Sequence, residues 1–259
     1  MKLNKKIGFI GGGRVTKILL GGLNKKSLSG RSICIYDPDT KALRNLSNRY
    51  PAVNVDSKNP SSAAKQDLIF LAVHPPVVNE ALASLKELIN RKGILVSLVP
   101  KIKCSQLREM LGGFSRIVRM IPNAPSIICR GFNPVYFSEG INQNERDDLQ
   151  LIFNSIGCSP IVEENLLEAY AVITGMGPTY FWRQFQQLKE LALEFGIETG
   201  EAEDSIKSMV TGSIETLFSG DLQSEEVFDL IPVYPLAETQ ELLLKEYRTK
   251  LTALYKKIT

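Results

Sequence analysis

Four short apolar runs alternate with helical periodicity in the first hundred residues. Runs of this length are typical of buried strands, and they cover residues 7–10, 32–37, 68–73 and 94–99. After the first run, Val15, Ile18 and Leu19 recur at helical spacing. A second helix is expected to begin after an N-cap at Asp39 or Thr40. Strands that alternate with helices predict an α/β fold with a mostly parallel sheet.

The pattern changes near Glu163. Before this residue we expect two further strands, over residues 115–120 and 133–137, and a helix over residues 144–156. After it the apolar positions follow a helical period, in segments 166–173, 180–195, 202–218 and 237–258. The C-terminal hundred residues are therefore expected to be helical.

The length of the chain fits two modest domains. A domain usually takes roughly 100–200 residues, and this chain has 259. We predict an α/β domain over residues 1–162 and an all-helical domain over residues 163–259. Because a few helices bury little surface by themselves, the helical domain is expected to form a homodimer, or a larger homo-oligomer, through a shared apolar face.

Composition excludes several classes of protein. A chain that is 44% hydrophobic and 23% charged is globular rather than disordered. Its net charge is +3 and no block of like charges occurs, so neither nucleic acid nor a membrane surface is an expected partner. Four dispersed cysteines and one histidine argue against a metal site. Without a run of about 18 apolar residues, we expect a cytoplasmic protein with reduced thiols.

A glycine-rich turn gives the strongest chemical signal. The sequence Gly-Gly-Gly-Arg-Val-Thr, residues 11–16, lies between the first strand and the first helix, where backbone N–H groups can approach a pyrophosphate. Asp37 follows the second strand, where a carboxylate can accept hydrogen bonds from ribose hydroxyls. Together they predict a Rossmann dinucleotide-binding domain, with Gly11, Gly13, Arg14 and Val15 among the cofactor-binding residues. Asp37 as a simple turn residue before a proline is the alternative.

The carboxylate also bears on the choice between the two nicotinamide cofactors. Asp37 would repel the 2′-phosphate of NADP, and Arg14 is the nearest cation in the sequence. We therefore expect NAD(P)H to bind, with NADH favoured.

Three further motifs carry weaker signals. His74 follows a strand in Ala-Val-His-Pro-Pro, at the sheet edge where α/β proteins bind ligands, but a lone histidine is more often a loop residue or a cofactor contact than a general acid. Residues 119–125 place two prolines around Asn123 and form a stiff turn. Residues 174–180, Thr-Gly-Met-Gly-Pro-Thr-Tyr, permit close backbone approach before a long helix.

In this order the motifs resemble those of pyrroline-5-carboxylate reductase, which reduces a cyclic imine to proline with NAD(P)H. Residues 7–13 are similar to the opening of that family, residues 72–75 to its A-V-K-P, residues 119–125 to its R-x-M-P-N-T-P and residues 174–180 to its S-G-S-G-P-A-Y. The resemblance extends to about residue 220. It implies a Rossmann domain joined to a helical dimerisation domain, with the active site where the two meet.

The resemblance also assigns roles to individual residues. It gives the cofactor phosphates to Gly11, Gly13 and Arg14, the adenosine ribose to Asp37, and the nicotinamide half to Ala72, His74, Pro75 and Asn123. Substrate contacts are expected at Thr174, Gly175, Gly177, Pro178, Glu238 and Thr239. Thr239 is also the expected catalytic hydroxyl, next to the imine nitrogen.

The substrate loop departs from the family pattern. Where the family has S-P-G-G-T-T, residues 234–239 are Tyr-Pro-Leu-Ala-Glu-Thr, so both glycines are lost. Glu238 adds a negative charge near the place of a substrate carboxylate. Residues 235–244 also carry the signals of a helix N-terminus. His74 in place of the family lysine, and Asp37 in place of asparagine followed by arginine, are further departures.

Three functions follow from these observations. The first is reduction of pyrroline-5-carboxylate in proline biosynthesis by hydride transfer to C=N. The second is the same chemistry on a different imine or carbonyl substrate, and the third is a non-catalytic nucleotide-binding paralogue. Hydroxyacid dehydrogenases are disfavoured because they need a lysine one turn beyond the glycine motif, and the residue four positions after Gly177 is Phe181.

Overall fold

The computed structural model describes residues 5–25 and 32–259. Nine strands occur in this part of the chain: β1 (Ile7–Ile10), β2 (Ile33–Tyr36), β3 (Val53–Asp56), β4 (Leu68–Leu71), β5 (Ile94–Ser97), β6 (Ile117–Met120), β7 (Gly131–Phe132), β8 (Val135–Phe137) and β9 (Gly157–Cys158). The helices are α1 (Arg14–Lys25), α2 (Thr40–Arg49), α3 (Ser61–Ala64), α4 (Val78–Leu88), α5 (Cys104–Met110), α6 (Gln143–Asn154), α7 (Leu167–Tyr170), α8 (Trp182–Glu194), α9 (Thr199–Ser219), α10 (Ser224–Asp229) and α11 (Ala237–Ile258).

Seven strands form one sheet in the order β3-β2-β1-β4-β5-β6-β8. The first six are parallel, and β8 pairs antiparallel with β6 at one edge. The expected Rossmann-like α/β domain with a mostly parallel sheet is thereby confirmed. Because all six parallel strands point the same way, their carboxyl ends and the loops that follow lie along one edge of the sheet.

The sheet is buried on both faces, as its apolar strands require. One cluster packs α1, α2 and α6 against one face, and a second packs α4 and α5 against the other. In the central strand β1, Gly8 lies against the backbone of α3, where a methyl group would overlap the carbonyl oxygen of Ala63. Phe9 stacks on Phe70 of β4 with ring centroids 4.8 Å apart.

The chain forms two compact units. The first extends to Met176 and includes residues Tyr255–Thr259, and the second is Gly177–Leu254. The first unit therefore continues past residue 162, where the sequence predicts a boundary. Leu167 and Ala171 explain the difference, since they pack with Ile121 in one apolar cluster of the first unit.

The C-terminal hundred residues are helical, as the periodicity predicts. Pro178 lies in a 3-10 turn, Gly177–Tyr180, and α8 begins after it at Trp182. The second unit contains α8, α9 and α10 and most of α11. Within it, Lys189 of α8 forms an ion pair with Glu203 of α9 at 2.5 Å. No helix in the described part of the chain is long and apolar enough to cross a membrane.

Candidate functional site

The glycine turn between β1 and α1 is closely packed at Gly11 and open to solvent space at Gly13. Gly11 has φ +107°, a conformation that L side chains rarely adopt, and a Cβ there would lie 2.5 Å from the Ala72 carbonyl oxygen. The buried Thr16 hydroxyl donates to the Gly11 carbonyl at 2.6 Å, which ties the first turn of α1 to the glycine turn. A Cβ at Gly13, in contrast, would meet nothing within 4 Å. Of the three glycines in this turn, Gly13 is therefore the one at which a Cβ would point into open space.

The Asp37 carboxylate, at the end of β2, is fixed by two backbone N–H groups. Gly12 donates to its Oδ2 at 2.6 Å and Asp39 to its Oδ1 at 2.8 Å. Asp39 itself caps α2 by accepting from the N–H groups of Lys41 and Ala42. Each oxygen of an ionised carboxylate can accept a further hydrogen bond, so the half-buried Asp37 can still receive ribose hydroxyls.

A cleft of about 360 Å³ begins at the glycine turn and reaches the first turns of α4. Five residues expected at the cofactor line it, namely Gly11, Gly13, Asp37, Ala72 and His74. Glu80, on α4, adds a second carboxylate to its wall. The lining contains no lysine or arginine among the residues that the structure describes. The cleft is therefore acidic as well as largely apolar.

A second, basic groove of about 550 Å³ lies between α1 and α2. Gly13 borders both the groove and the cleft, and the groove carries Arg14, Lys17 and Arg49. The predicted phosphate contact Arg14 is thus exposed and lines this groove, whereas Asp37 lines the cleft. A negatively charged group above Gly13 would meet the α1 N-terminus with a cationic side chain beside it.

Three other residues predicted at the cofactor are placed differently. Val15 packs against the core cluster beneath the sheet, which leaves its backbone N–H in the first turn of α1 as its available donor. Pro75 is exposed and begins a 3-10 turn, outside the residues that line the cleft. Asn123 is only 8% exposed.

The Asn123 side chain is engaged within the protein. Its Nδ2 donates to the Thr174 carbonyl at 3.2 Å and its Oδ1 accepts from the Phe132 N–H at 3.0 Å. Its own backbone N–H donates to Asn133, whose Oδ1 also accepts from the Ser126 hydroxyl. Asn123 therefore ties the loop after β6 to the segment that contains Thr174.

The residues expected at the substrate fall in both compact units. Thr174 and Gly175 end a π-helical turn, Ala171–Gly175, of the first unit, whereas Gly177 and Pro178 open the second. Glu238 and Thr239 lie exposed in the first turn of α11, also in the second unit. The segment that replaces the family's glycine loop has thus become a helix N-terminus. A π-helical turn is rare and frequently marks a functional site.

A buried cluster of charges, which the sequence analysis did not find, lies beyond the end of β6. Arg119 donates to Glu168 at 2.5 Å and to Glu164 at 3.3 Å, and only 1% of the Arg119 side chain is exposed. Burial and the Glu164 carboxylate raise the pKa of the nearby Cys104 thiol. Burial also raises the pKa of Tyr136. Arg119 stood in a noted motif, but its carboxylate partners lie over 40 residues away and carry no local signal.

The cleft fits a dinucleotide by the geometry of its own residues. Gly13 leaves open the space in front of the α1 N-terminus, and Asp37 presents its carboxylate one strand away. No group of three or more His, Cys, Asp or Glu residues within the described part of the chain is arranged to hold a metal ion.

Comparison with known proteins gives the relationships of the chain. Residues 6–101 match the family model described as NADP oxidoreductase, coenzyme F420-dependent. The curated pyrroline-5-carboxylate reductase of Escherichia coli (strain K12) is 26% identical over 213 residues, which cover 82% of this chain and 78% of that protein. Over most of its length the chain is therefore similar to curated pyrroline-5-carboxylate reductases.

Solved structures from the pyrroline-5-carboxylate reductase family share the fold. The Plasmodium falciparum pyrroline carboxylate reductase, crystallised with NADP bound, has a TM-score of 0.78 at 21% identity and covers 98% of this chain and 95% of its own. The pyrroline-5-carboxylate reductase of Coxiella burnetii has a TM-score of 0.73 at 24% identity, with 98% and 97% covered. The fold thus matches that of family members through both compact units.

Proposed function

We propose that this chain is an NAD(P)H-dependent oxidoreductase that reduces 1-pyrroline-5-carboxylate to proline. The observation that supports it most is the cleft lined by the glycine turn and Asp37, in a chain that aligns over 82% of its length with a curated pyrroline-5-carboxylate reductase. Reduction of an imine requires that two reactants be held in contact with water excluded, rather than a side-chain nucleophile. The arrangement of backbone donors and one ribose acceptor is consistent with that requirement.

The residues of the first unit would hold the cofactor. When bound, a reduced nicotinamide supplies the hydride that forms the new C–H bond at the imine carbon. The N-terminus of α1 behind Gly13 holds the pyrophosphate, with Arg14 beside it, and Asp37 accepts the ribose hydroxyls. Ala72 and His74 line the cleft on the nicotinamide side of the turn.

Substrate contacts come from the segments that the family motifs mark. The half-buried segment that contains Thr174 and Gly175 is proposed to face the substrate, together with Gly177 and Pro178. The Thr239 hydroxyl is proposed to lie next to the imine nitrogen, which takes up a proton as the carbon is reduced. The homodimer expected from the sequence belongs to the same proposal, as does the cytoplasmic location.

We further propose that the cofactor is NADH rather than NADPH. A 2′-phosphate on the adenosine ribose would face the Asp37 carboxylate, with Glu80 on the same cleft wall. The cations Arg14, Lys17 and Arg49 border the neighbouring groove instead. Binding titrations should show NADH held at least tenfold more tightly than NADPH, and equal affinities would contradict the assignment.

The homodimer is supported by the surface of the second unit. Large apolar side chains between residues 214 and 244 are exposed, with Phe218 at 79%, Ile231 at 67% and Leu236 at 70%. Patches of this kind mark interaction sites on a folded protein. Sedimentation velocity across a concentration series is expected to give a dimer, and a monomer at micromolar concentration would contradict the proposal.

Cofactor oxidation by the purified protein tests the catalytic assignment. The absorbance of NADH or NADPH is followed with and without pyrroline-5-carboxylate, and turnover that depends on this substrate is the expected result. The Thr239→Val variant is expected to keep NADH affinity and to lose turnover. Absence of turnover in a folded protein that binds NADH would contradict the substrate assignment.

A related reductase with a different substrate is the second candidate. It is favoured by one observation, that residues 236–238 are Leu-Ala-Glu and that α11 begins at Ala237. A carboxylate in this position favours a substrate that carries an amine or lacks a carboxylate. A panel of cyclic imines, with and without a carboxylate, separates the two candidates. No oxidation with any of them would favour the non-catalytic paralogue.

A further inference from the structure

Arg119 and its two carboxylate partners, Glu164 and Glu168, connect three separate segments of the first unit. Arg119 occupies the carboxyl-terminal half of β6, and its guanidinium bonds two carboxylates on the segment that contains α7. The Glu168 Oε1 atom also accepts the backbone N–H of Lys101 at 3.0 Å, in the loop after β5. The Glu164 Oε1 atom accepts the N–H of Cys104 at 2.6 Å, at the start of α5. Two carboxylates therefore join the ends of β5 and β6 to α7.

These ion pairs have the features of groups that position the loops around them rather than of groups that stabilise the fold. A buried ion pair is weak support for stability, because removing two charges from water offsets most of their attraction. The Nε of Arg119 is buried without a hydrogen-bond partner, so the guanidinium is incompletely satisfied. Lys101 is held at φ +76°, which a lysine rarely adopts. Strain and an unpaired buried donor together are typical of a site whose geometry is fixed for function.

The segments that these ion pairs join, at the ends of β5 and β6, lie where the nicotinamide half of a bound dinucleotide is expected. Strands β1, β4, β5 and β6 are neighbours in that order, and neighbouring strands are about 4.8 Å apart. With the pyrophosphate at β1 and the ribose acceptor at β2, the remaining half extends over the ends of β4, β5 and β6. These are the ends that Arg119 and Glu168 fix.

A hydrogen bond joins the same two segments a few residues after the ion pair. Four residues beyond Arg119, Asn123 donates to the carbonyl of Thr174, and Thr174 lies six residues beyond Glu168. The loop after β6 and the π-helical turn Ala171–Gly175 are thus joined at two points, one ionic and one between amides. Movement at the ion pair would shift both segments together.

We propose that Arg119 and Glu168 are positioning residues that set the loops at the ends of β5 and β6 for the nicotinamide half of the cofactor. This inference rests on the proposed function, because it takes a nicotinamide dinucleotide as the ligand. It assigns no contact between either side chain and the cofactor. The pair acts through the Lys101 backbone and through the loop that carries Asn123.

The test separates the two halves of the cofactor. ADP-ribose contains the adenosine and pyrophosphate groups but no nicotinamide, so it probes the Gly13 and Asp37 end alone. The variant is the double substitution Arg119→Met with Glu168→Met, because removing Arg119 alone would leave the buried Glu168 carboxylate without a counter-charge. Glu164, which is less buried, keeps its hydrogen bond from the Cys104 N–H. Replacing both partners by apolar side chains of similar length is often neutral for stability.

The double variant is expected to keep the wild-type affinity for ADP-ribose within threefold. Its affinity for NADH should fall at least tenfold, and the fluorescence of bound NADH should move toward that of free NADH. The conservative variant Glu168→Gln retains an acceptor for the Lys101 N–H and a hydrogen bond to Arg119. It is expected to keep the ratio of the two affinities within threefold of wild type.

A matched control lies at the other end of the same strand. Arg116, just before β6, forms an ion pair with Glu145 at 2.5 Å, away from the carboxyl edge of the sheet. Arg116→Met with Glu145→Met should change the two affinities equally or not at all. Equal losses of NADH and ADP-ribose in the Arg119 and Glu168 double variant, or no loss of either, would overturn the inference.

Different results would contradict the proposed function. If the wild-type chain bound neither NADH nor ADP-ribose, the nucleotide assignment would fall, and the positioning role with it. If the wild-type chain bound both but did not reduce pyrroline-5-carboxylate, only the substrate assignment would fall. The comparison of affinities would still decide the role of the pair.

Discussion

Gly13 offers the sharpest test of the nucleotide site. It borders both the cleft and the basic groove, and a Cβ at this position would meet nothing within 4 Å. A side chain can therefore be introduced without disturbing the fold, unlike at Gly11, where the backbone has φ +107°. Gly13→Glu places a carboxylate where the cofactor pyrophosphate is proposed to lie.

The size of the effect follows from Coulomb's law. Two unit charges about 4 Å apart near a protein surface, at an effective dielectric constant of about 20, repel by about 4 kcal/mol. Since 1.4 kcal/mol corresponds to a factor of ten, NADH affinity should fall by roughly a thousandfold. In fully hydrated surroundings the same pair would repel by only about 1 kcal/mol, less than a tenfold loss.

The assay is a titration of NADH fluorescence with wild-type protein, Gly13→Glu and a matched control. Gly200→Glu serves as control, because Gly200 lies in the first turn of α9 and its Cβ would also meet nothing within 4 Å. The free energy of unfolding of both variants should lie within about 0.5 kcal/mol of the wild-type value, as is usual for surface substitutions. A Gly13→Glu protein that is folded and binds NADH within tenfold of wild type would refute the pyrophosphate assignment.

Three further predictions concern stability and substrate choice. Lys101→Gly relieves a left-handed conformation that costs roughly 1–2 kcal/mol but loses about 0.5–1 kcal/mol of backbone entropy, so the free energy of unfolding in urea is expected to rise by up to about 1.5 kcal/mol. Lys65→Gly, at φ −91°, is the control and should give no gain. Gly8→Ala should cost at least about 1–3 kcal/mol in the same measurement, because its methyl group has no space in β1, and an unchanged midpoint would contradict the packing described. Changing residues 236–238 from Leu-Ala-Glu to Gly-Gly-Thr should raise turnover of pyrroline-5-carboxylate, and no gain would contradict the proposed substrate role of this segment.

The local signals in the sequence predicted much of the fold. The apolar runs over residues 7–10, 68–73 and 94–99 became central strands, since a strand buried on both faces must be apolar throughout. The N-cap at Asp39 was also foreseen, from the chemistry of one side chain. β3 was missed because it is only four residues long, pairs only with β2 at the sheet edge and is not fully buried, so it lacks the continuous apolar run of the central strands. The alternation Val-Asn-Val-Asp is the signal that could have found it.

The site was harder to predict than the fold. The glycine turn and Asp37 lie within one βαβ unit, so their spacing in sequence carries the signal. The partners of Arg119 depend on how α7 returns to the sheet, which no local pattern encodes. The Asn123 side chain is bonded to Thr174 and Phe132, because a buried amide takes partners within the protein, and its contact with the cofactor stays a prediction.

The departures from the motifs of pyrroline-5-carboxylate reductases occur in both units, at Asp37 and His74 in the first and at residues 234–239 in the second. In the first unit the glycine turn, the acceptor at the end of β2 and the Arg119 to Asn123 segment all have structural roles that the geometry makes explicit. In the second unit residues 234–239 have exchanged a glycine loop for the exposed N-terminus of α11. The residues that line the cleft at β1 all belong to the first unit. Cofactor binding and substrate choice should therefore vary independently, so that nucleotide affinity alone cannot identify the substrate, and the imine panel is the measurement that decides it.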